Sequence, residues 1–130
     1  MIDCETEQPG AYPAIVRTRA HTFHADVTEA TGGTDSYPGP HDFFDTALAS
    51  CKVMTAMWYA KKNGMALERV ESHVERDDTE EKTGKYRLQV RLVFHGQLSE
   101  DERARLARAV AKCPIHKLMT TSDVEIETLA

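Results

Sequence analysis

One unbroken run, from Pro40 to Asn63, constrains this chain more than any other feature, because it carries the marks of a single long helix. Pro40 suits a first helical position, where an amide hydrogen would have no partner inside the helix. Asp42 and Asp45 fall in the first two turns, where negative charge meets the positive end of the helix dipole. Lys61 and Lys62 stand near the other end, and Gly64 is placed to close it in a left-handed conformation. Phe44, Leu48, Cys51, Thr55 and Trp58 recur at i, i+4, i+7, i+11 and i+14, and Phe43, Ala47, Met54 and Met57 widen that stripe. Most of the circumference is then apolar, which predicts a helix at the centre of the fold or of a subunit interface.

The segments around it read as short strands and one further helix. Ala14–Arg19 and His21–Val27 are expected strands, the second with His21, Phe23, Ala25 and Val27 on one face. Between Glu29 and Gly39, Gly32-Gly33 and Pro38-Gly39 mark a loop, with no phosphate-binding pattern around the glycine pair. Val70, Ser72 and Val74 alternate with polar neighbours, and Tyr86, Leu88, Val90, Leu92 and Phe94 give the cleanest period of two. The charged stretch from Asp77 to Gly84 is the expected hairpin loop between them. Ser99 with Glu102 three residues on forms a capping-box pattern opening the second helix, on which Leu106, Val110 and Cys113 share a face. Asp123–Thr128 closes as a strand, with Val124 and Ile126 between acidic residues. The order β-β-α-β-β-α-β implies an α+β protein of antiparallel sheets with two main helices, a single domain over 1–130 whose residues 1–12 form a flexible tail.

At 130 residues the chain matches one domain. Sixteen Lys and Arg against twenty-one Asp and Glu give a net charge of −5 with no basic block, which disfavours a nucleic-acid partner. No apolar run approaches the roughly 20 residues that span a bilayer. Asp3, Glu5 and Glu7 do not fit the basic start of an export signal. Three cysteines are too few for a disulfide scaffold, so a reducing, cytoplasmic setting is expected.

Cys51 and Cys113 lie on the apolar faces of the two main helices, and packed helices bring Cα atoms close to the roughly 7 Å that a disulfide allows. Two small buried hydrophobes would satisfy the same pattern. Cys113 has a second feature: Pro114 can open a new helical turn with Cys113 as its N-cap. Unpaired amides, with Lys112 and Lys117 near, would then favour the thiolate there. Cys51, in mid-helix, needs a cation from elsewhere, and Arg17 and Arg19 are candidates. Cys113-Pro114-Ile115-His116, with Cys51, His41 or His21, has a spacing that a metal could use. No second closely spaced ligand pair accompanies it, so no metal is expected. His116 reads as a wall of the site, whereas His21, His24, His73 and His95 read as ordinary strand residues. Cys4 falls in the tail.

Gly32-Gly33-Thr34-Asp35, Gly39-Pro40-His41-Asp42, Ala47-Leu48-Ala49-Ser50-Cys51 and Lys112-Cys113-Pro114-Ile115-His116 together resemble the OsmC/Ohr family of thiol peroxidases, over most of the chain from about His21 to Thr128. The resemblance implies an intertwined homodimer with each site at the interface. It implies that Cys51 is the peroxidatic thiol, attacking an organic hydroperoxide and becoming a sulfenic acid. Cys113 would resolve it as a disulfide, and a dithiol reductant would restore both, with no cofactor. In the family a glutamate holds an arginine against the reactive sulfur; here His41 stands in its place and Asp42 follows. The resemblance thus points to Asp42 as the orienting acid and to Arg19 or Arg17 as the thiolate-stabilising cation. His41, His116, Phe43, Phe44 and Met54 are the expected walls, with Met119 beside them. Two other readings remain open: a redox-sensing or sulfur-handling protein with little peroxide turnover, and a non-enzymatic dimer that binds a small ligand.

Overall fold

A computed structural model describes residues 1–130, which form two compact units, 1–44 and 45–130. The first unit is a three-stranded antiparallel sheet in the order β1 (Ile2–Thr6), β2 (Ala14–Thr18), β3 (His21–Ala25). Both expected strands are present, but part of the expected tail is not loose. Residues 2–6 pair with β2 in the register Ile2↔Thr18 through Thr6↔Ala14. Every β1 residue is exposed, so backbone hydrogen bonding rather than a buried face makes this a strand. Arg19 turns the chain into β3 with φ 52°.

After β3 the chain wraps around one carboxylate. Asp26, 2% exposed, accepts from the amides of Val27 (2.8 Å), Thr34 (3.2 Å) and Ser36 (3.0 Å) and from the Thr34 hydroxyl (2.7 Å). Those bonds hold its carboxyl below the ordinary carboxylate range. Gly33 belongs to this arrangement because a Cβ there would press on the Val27 carbonyl and the Asp26 carboxylate. The Gly32-Gly33-Thr34 sequence is therefore a loop organised around an anion of the chain's own.

Helix α1 (Pro40–Lys62) leads into the second unit, and Gly64 closes its end with φ 64°. Strands β4 (Leu67–Asp77) and β5 (Arg87–Gly96) form an antiparallel hairpin, followed by α2 (Glu100–Ala111) and α3 (Pro114–Thr120). The capping box is complete: the Ser99 side chain accepts from the Glu102 amide and Glu102 accepts from the Ser99 amide. Ala56 and Ala60 of α1, Met65, Leu67, and Leu106 and Val110 of α2 make the core, flanked by Val70, Leu92 and Phe94 of the hairpin. Arg76 Nε and the Tyr86 hydroxyl, each 2.6 Å from Asp45, tie the hairpin to the first turns of α1.

Two expectations about this unit are corrected. The buried positions of α1 are Leu48, Lys52, Ala56 and Ala60, a strict i+4 row, not the stripe through Phe44 and Trp58. Alanines on that row let α2 approach, while Phe44 (47% exposed), Met54 (69%) and Trp58 (60%) point outward. The C-terminal residues 121–130 carry no strand, and Val124 and Ile126 are exposed. Alternation supplies two faces, but a strand also needs a free edge to pair with, and this segment meets none. No helix is long and apolar enough to cross a membrane.

Candidate active site

Cys51 and Cys113 come together in the second unit. Cys51 sits half-buried in mid-α1, its Sγ 3.9 Å from the Thr55 Oγ1 one turn on. Cys113 is the second of two residues between α2 and α3, 1% exposed, with the extended backbone (φ −63°, ψ 162°) of an N-cap before Pro114. Both are free thiols, and the Cys51 side chain is close enough to the Cys113 sulfur to disfavour its ionisation.

A groove of about 620 Å³ opens beside them, lined by Ala47, Cys51, Met54 and Trp58 of α1 and by Pro114 and Ile115 of α3. Its surface is almost wholly apolar, so the Cys51 sulfur is its most reactive atom. An alkyl chain suits such walls better than a small hydrated molecule does.

The Cys113 N-cap is as the sequence predicts, but the acidity expected from it is not. Burial pushes the Cys113 thiol up, and the adjoining Cys51 pushes it further. The His116 amide faces the sulfur and favours the thiolate, yet no full capping hydrogen bond forms. A short helix of seven residues does not outweigh removal from water.

The cation that acts on Cys113 is neither Lys112 nor Lys117. It is Lys52, 4% exposed on the buried row of α1. Its Nζ donates to the carbonyls of Val110 (2.8 Å) and Ala111 (3.3 Å) at the end of α2, and it lies 3.4 Å from His116 Nδ1. Burial, Lys52 and Lys112 all push the His116 imidazole down, so it is neutral near pH 7. A neutral ring that accepts from Lys52 at Nδ1 carries its hydrogen on Nε2. Sequence reasoning passed over Lys52 because a lysine in a helix reads as a solvated residue. The available signal was its position four residues from both Leu48 and Ala56.

The other expected site residues are placed as follows. Met54 lines the groove, and His116 turns its imidazole to Lys52. Asp42 accepts from the Gly39 amide at 2.8 Å, and Phe43 stacks obliquely on Phe23 with ring centroids 5.2 Å apart. His41 and Phe44 are exposed in the first turns of α1. Arg17 and Arg19 belong to the first unit, where the Arg17 guanidinium pairs with Glu5 at 3.0 Å. No group of three or more His, Cys, Asp or Glu side chains converges to hold a metal.

The chain is an α+β protein in which a free, groove-facing thiol on α1 lies near a free, buried one at the junction of α2 and α3. The sequence profile of OsmC-like proteins matches residues 33–128, and the chain belongs to that family. Its fold is similar to that of an OsmC-like protein from Mycoplasma pneumoniae, with TM-score 0.73, 19% identity and 93% and 86% of the two chains covered. It is also similar to the organic hydroperoxide resistance protein OhrB of Bacillus subtilis (TM-score 0.61, 18% identity, coverage 93% and 91%). An organic hydroperoxide resistance protein from Elizabethkingia anophelis, with thiocyanate bound, aligns with TM-score 0.64 at 18% identity over 93% and 89%. A comparison with curated protein sequences found no match.

Proposed function

We propose that this protein is a thiol-dependent peroxidase that reduces organic hydroperoxides to alcohols through Cys51 and Cys113. The observation that carries the reading is a free thiol, Cys51, lining an apolar groove beside a second free but buried thiol, Cys113. Membership of the OsmC-like family and the hydroperoxide-resistance names of structural neighbours agree with it. The Cys51 thiolate attacks the O–O bond, the alkoxide leaves as the alcohol after taking a proton, and Cys51 becomes a sulfenic acid. Cys113 then displaces hydroxide from that sulfur, water departs and a disulfide forms. A dithiol reductant supplies two electrons and two protons to restore both thiols.

The working form in this reading is a homodimer. Met54 and Trp58 are exposed beside the groove, and the unpaired Val124 and Ile126 belong to a segment with strand patterning. A second copy would cover the first pair and offer an edge to the second. The family likeness adds Arg17 or Arg19 as the cation for the Cys51 thiolate, with Asp42 as its orienting acid.

Stopped-flow oxidation by an alkyl hydroperoxide, with a small dithiol as reductant, tests the proposal. Consumption should be faster with the alkyl substrate than with hydrogen peroxide, and Cys51→Ser should reduce it to the background rate. Undiminished turnover in that variant removes the mechanism. Cys113→Ser should stop after one turnover with a trapped sulfenic acid at Cys51.

A second reading has the same pair acting as a redox sensor with little turnover. The raised Cys113 thiol favours it, because a poorly ionised resolving cysteine slows the cycle.

A further inference from the structure

Lys52 is a buried charge whose resting partners include no anion. Its acceptors are the Val110 and Ala111 carbonyls and the His116 imidazole nitrogen. Burying a cation without a carboxylate is costly, and the negative end of α2 offsets only part of that. Cys113, next to these same groups, is an anion whenever it acts as a nucleophile. We infer that Lys52 is the positioning residue that matches the Cys113 thiolate, making this buried cysteine competent to resolve the oxidised partner thiol. This deepens the proposed peroxidase reading and rests on it.

The step it serves balances without further reagents. The Cys113 thiolate sulfur bonds to the sulfur of Cys51 sulfenic acid, the S–O bond breaks, and the leaving hydroxide takes a proton to depart as water. Cys113 is oxidised and the sulfenic sulfur is reduced, giving the disulfide. Before that step a negative charge must form at a sulfur that is 1% exposed. The groups acting on it are Cys51 and Lys52 from α1 and the backbone amide of His116 from α3, while Lys112 at the end of α2 acts on the His116 ring. His116 is held neutral, and Lys112 is exposed to solvent. Lys52 alone combines positive charge with burial. Its three donors, anchored on α2 and α3, keep that charge in place through the reaction.

The arrangement separates the two chemical steps. Loss of the Lys52 charge should leave sulfenic acid formation at Cys51 much less affected than its resolution. In Lys52→Gln, which keeps a donor but no charge, disulfide formation should slow about tenfold at pH 7, and its pH profile should move up by about one unit. Lys52→Arg, where it folds, should restore the profile.

Three measurements decide the matter. The first is wild-type disulfide formation across pH 6–9 after one equivalent of an alkyl hydroperoxide. It should rise with a single ionisation, and a flat profile overturns the inference without needing any variant. The second is the alkylation rate against pH of Cys113 as the sole thiol, in a Cys4→Ser, Cys51→Ser background with and without Lys52→Gln. The shift should appear there with no peroxide present, and coincident profiles overturn the inference. The third is the resolution step in Lys52→Gln itself, where an unchanged rate and profile also overturn it. If the wild type forms no disulfide at all, the peroxidase reading fails instead, and the alkylation profiles still report whether Lys52 acts on Cys113.

Discussion

Asp26 and Lys52 are both charged side chains removed from solvent, 2% and 4% exposed, but the chain provides for them differently. Asp26 receives four hydrogen bonds from Val27, Thr34 and Ser36, all within ten residues of it. Its charge closes a loop and is fully matched at rest. Lys52 finds its partners 58, 59 and 64 residues away, at the end of α2 and the start of α3. Its charge faces carbonyls, an imidazole and, nearby, a thiol that is neutral until it reacts. A buried charge with complete local partners organises structure, whereas one held by distant neutral partners beside a nucleophile is available for chemistry.

The two charges should differ most when each is removed. Lys52→Met should cost about 1–3 kcal/mol in urea unfolding, since it strands buried acceptors at the α2 terminus, and it should also impair resolution. Asp26→Asn should lower the melting temperature, replacing an acceptor with a donor among four donating groups, while peroxide chemistry stays close to wild type. Equal effects of both substitutions on disulfide formation would erase the distinction.

Acid sharpens it. The folded pKa of Asp26 lies below its ordinary value of 3.8, so its contribution to stability is fully present above that value. The contribution is lost as pH falls through the folded pKa. Thermal melts of the wild type should therefore weaken more steeply below about pH 4 than those of Asp26→Asn. A smaller effect belongs to the second unit. Burial and the hydrogen bond to Asp45 push Tyr86 up to about 12 from an ordinary value of 10.0. Its stabilisation is complete below pH 10 and lost as pH rises through 12, so one tyrosine should ionise late in an ultraviolet titration. Tyr86→Phe should remove that late phase.

What the sequence discloses follows the same division between near and far. The capping box of Ser99 and Glu102, proline at the start of α3, the left-handed Gly64 and the β4–β5 hairpin are written in residues a few positions apart, and each is where its local signal predicts. Strand β1 gives no such signal because it has no buried face to leave a hydrophobic pattern. Residues 123–128 have the pattern but no edge. At the site, Cys51 was legible from helical periodicity and the N-cap of Cys113 from Pro114, but Cys113 lies past the end of α2 rather than on its face. The raised Cys113 thiol and the Lys52 cation were not, since both arise from packing between segments some sixty residues apart.

The most direct test of the account is peptide mapping by mass spectrometry after one equivalent of an organic hydroperoxide, with free thiols blocked before digestion. The account predicts a single dominant crosslink joining the Cys51 and Cys113 peptides, reversed by a dithiol and absent in either serine variant. Recovery of both cysteines as separate, singly modified peptides with no crosslink between them would contradict it.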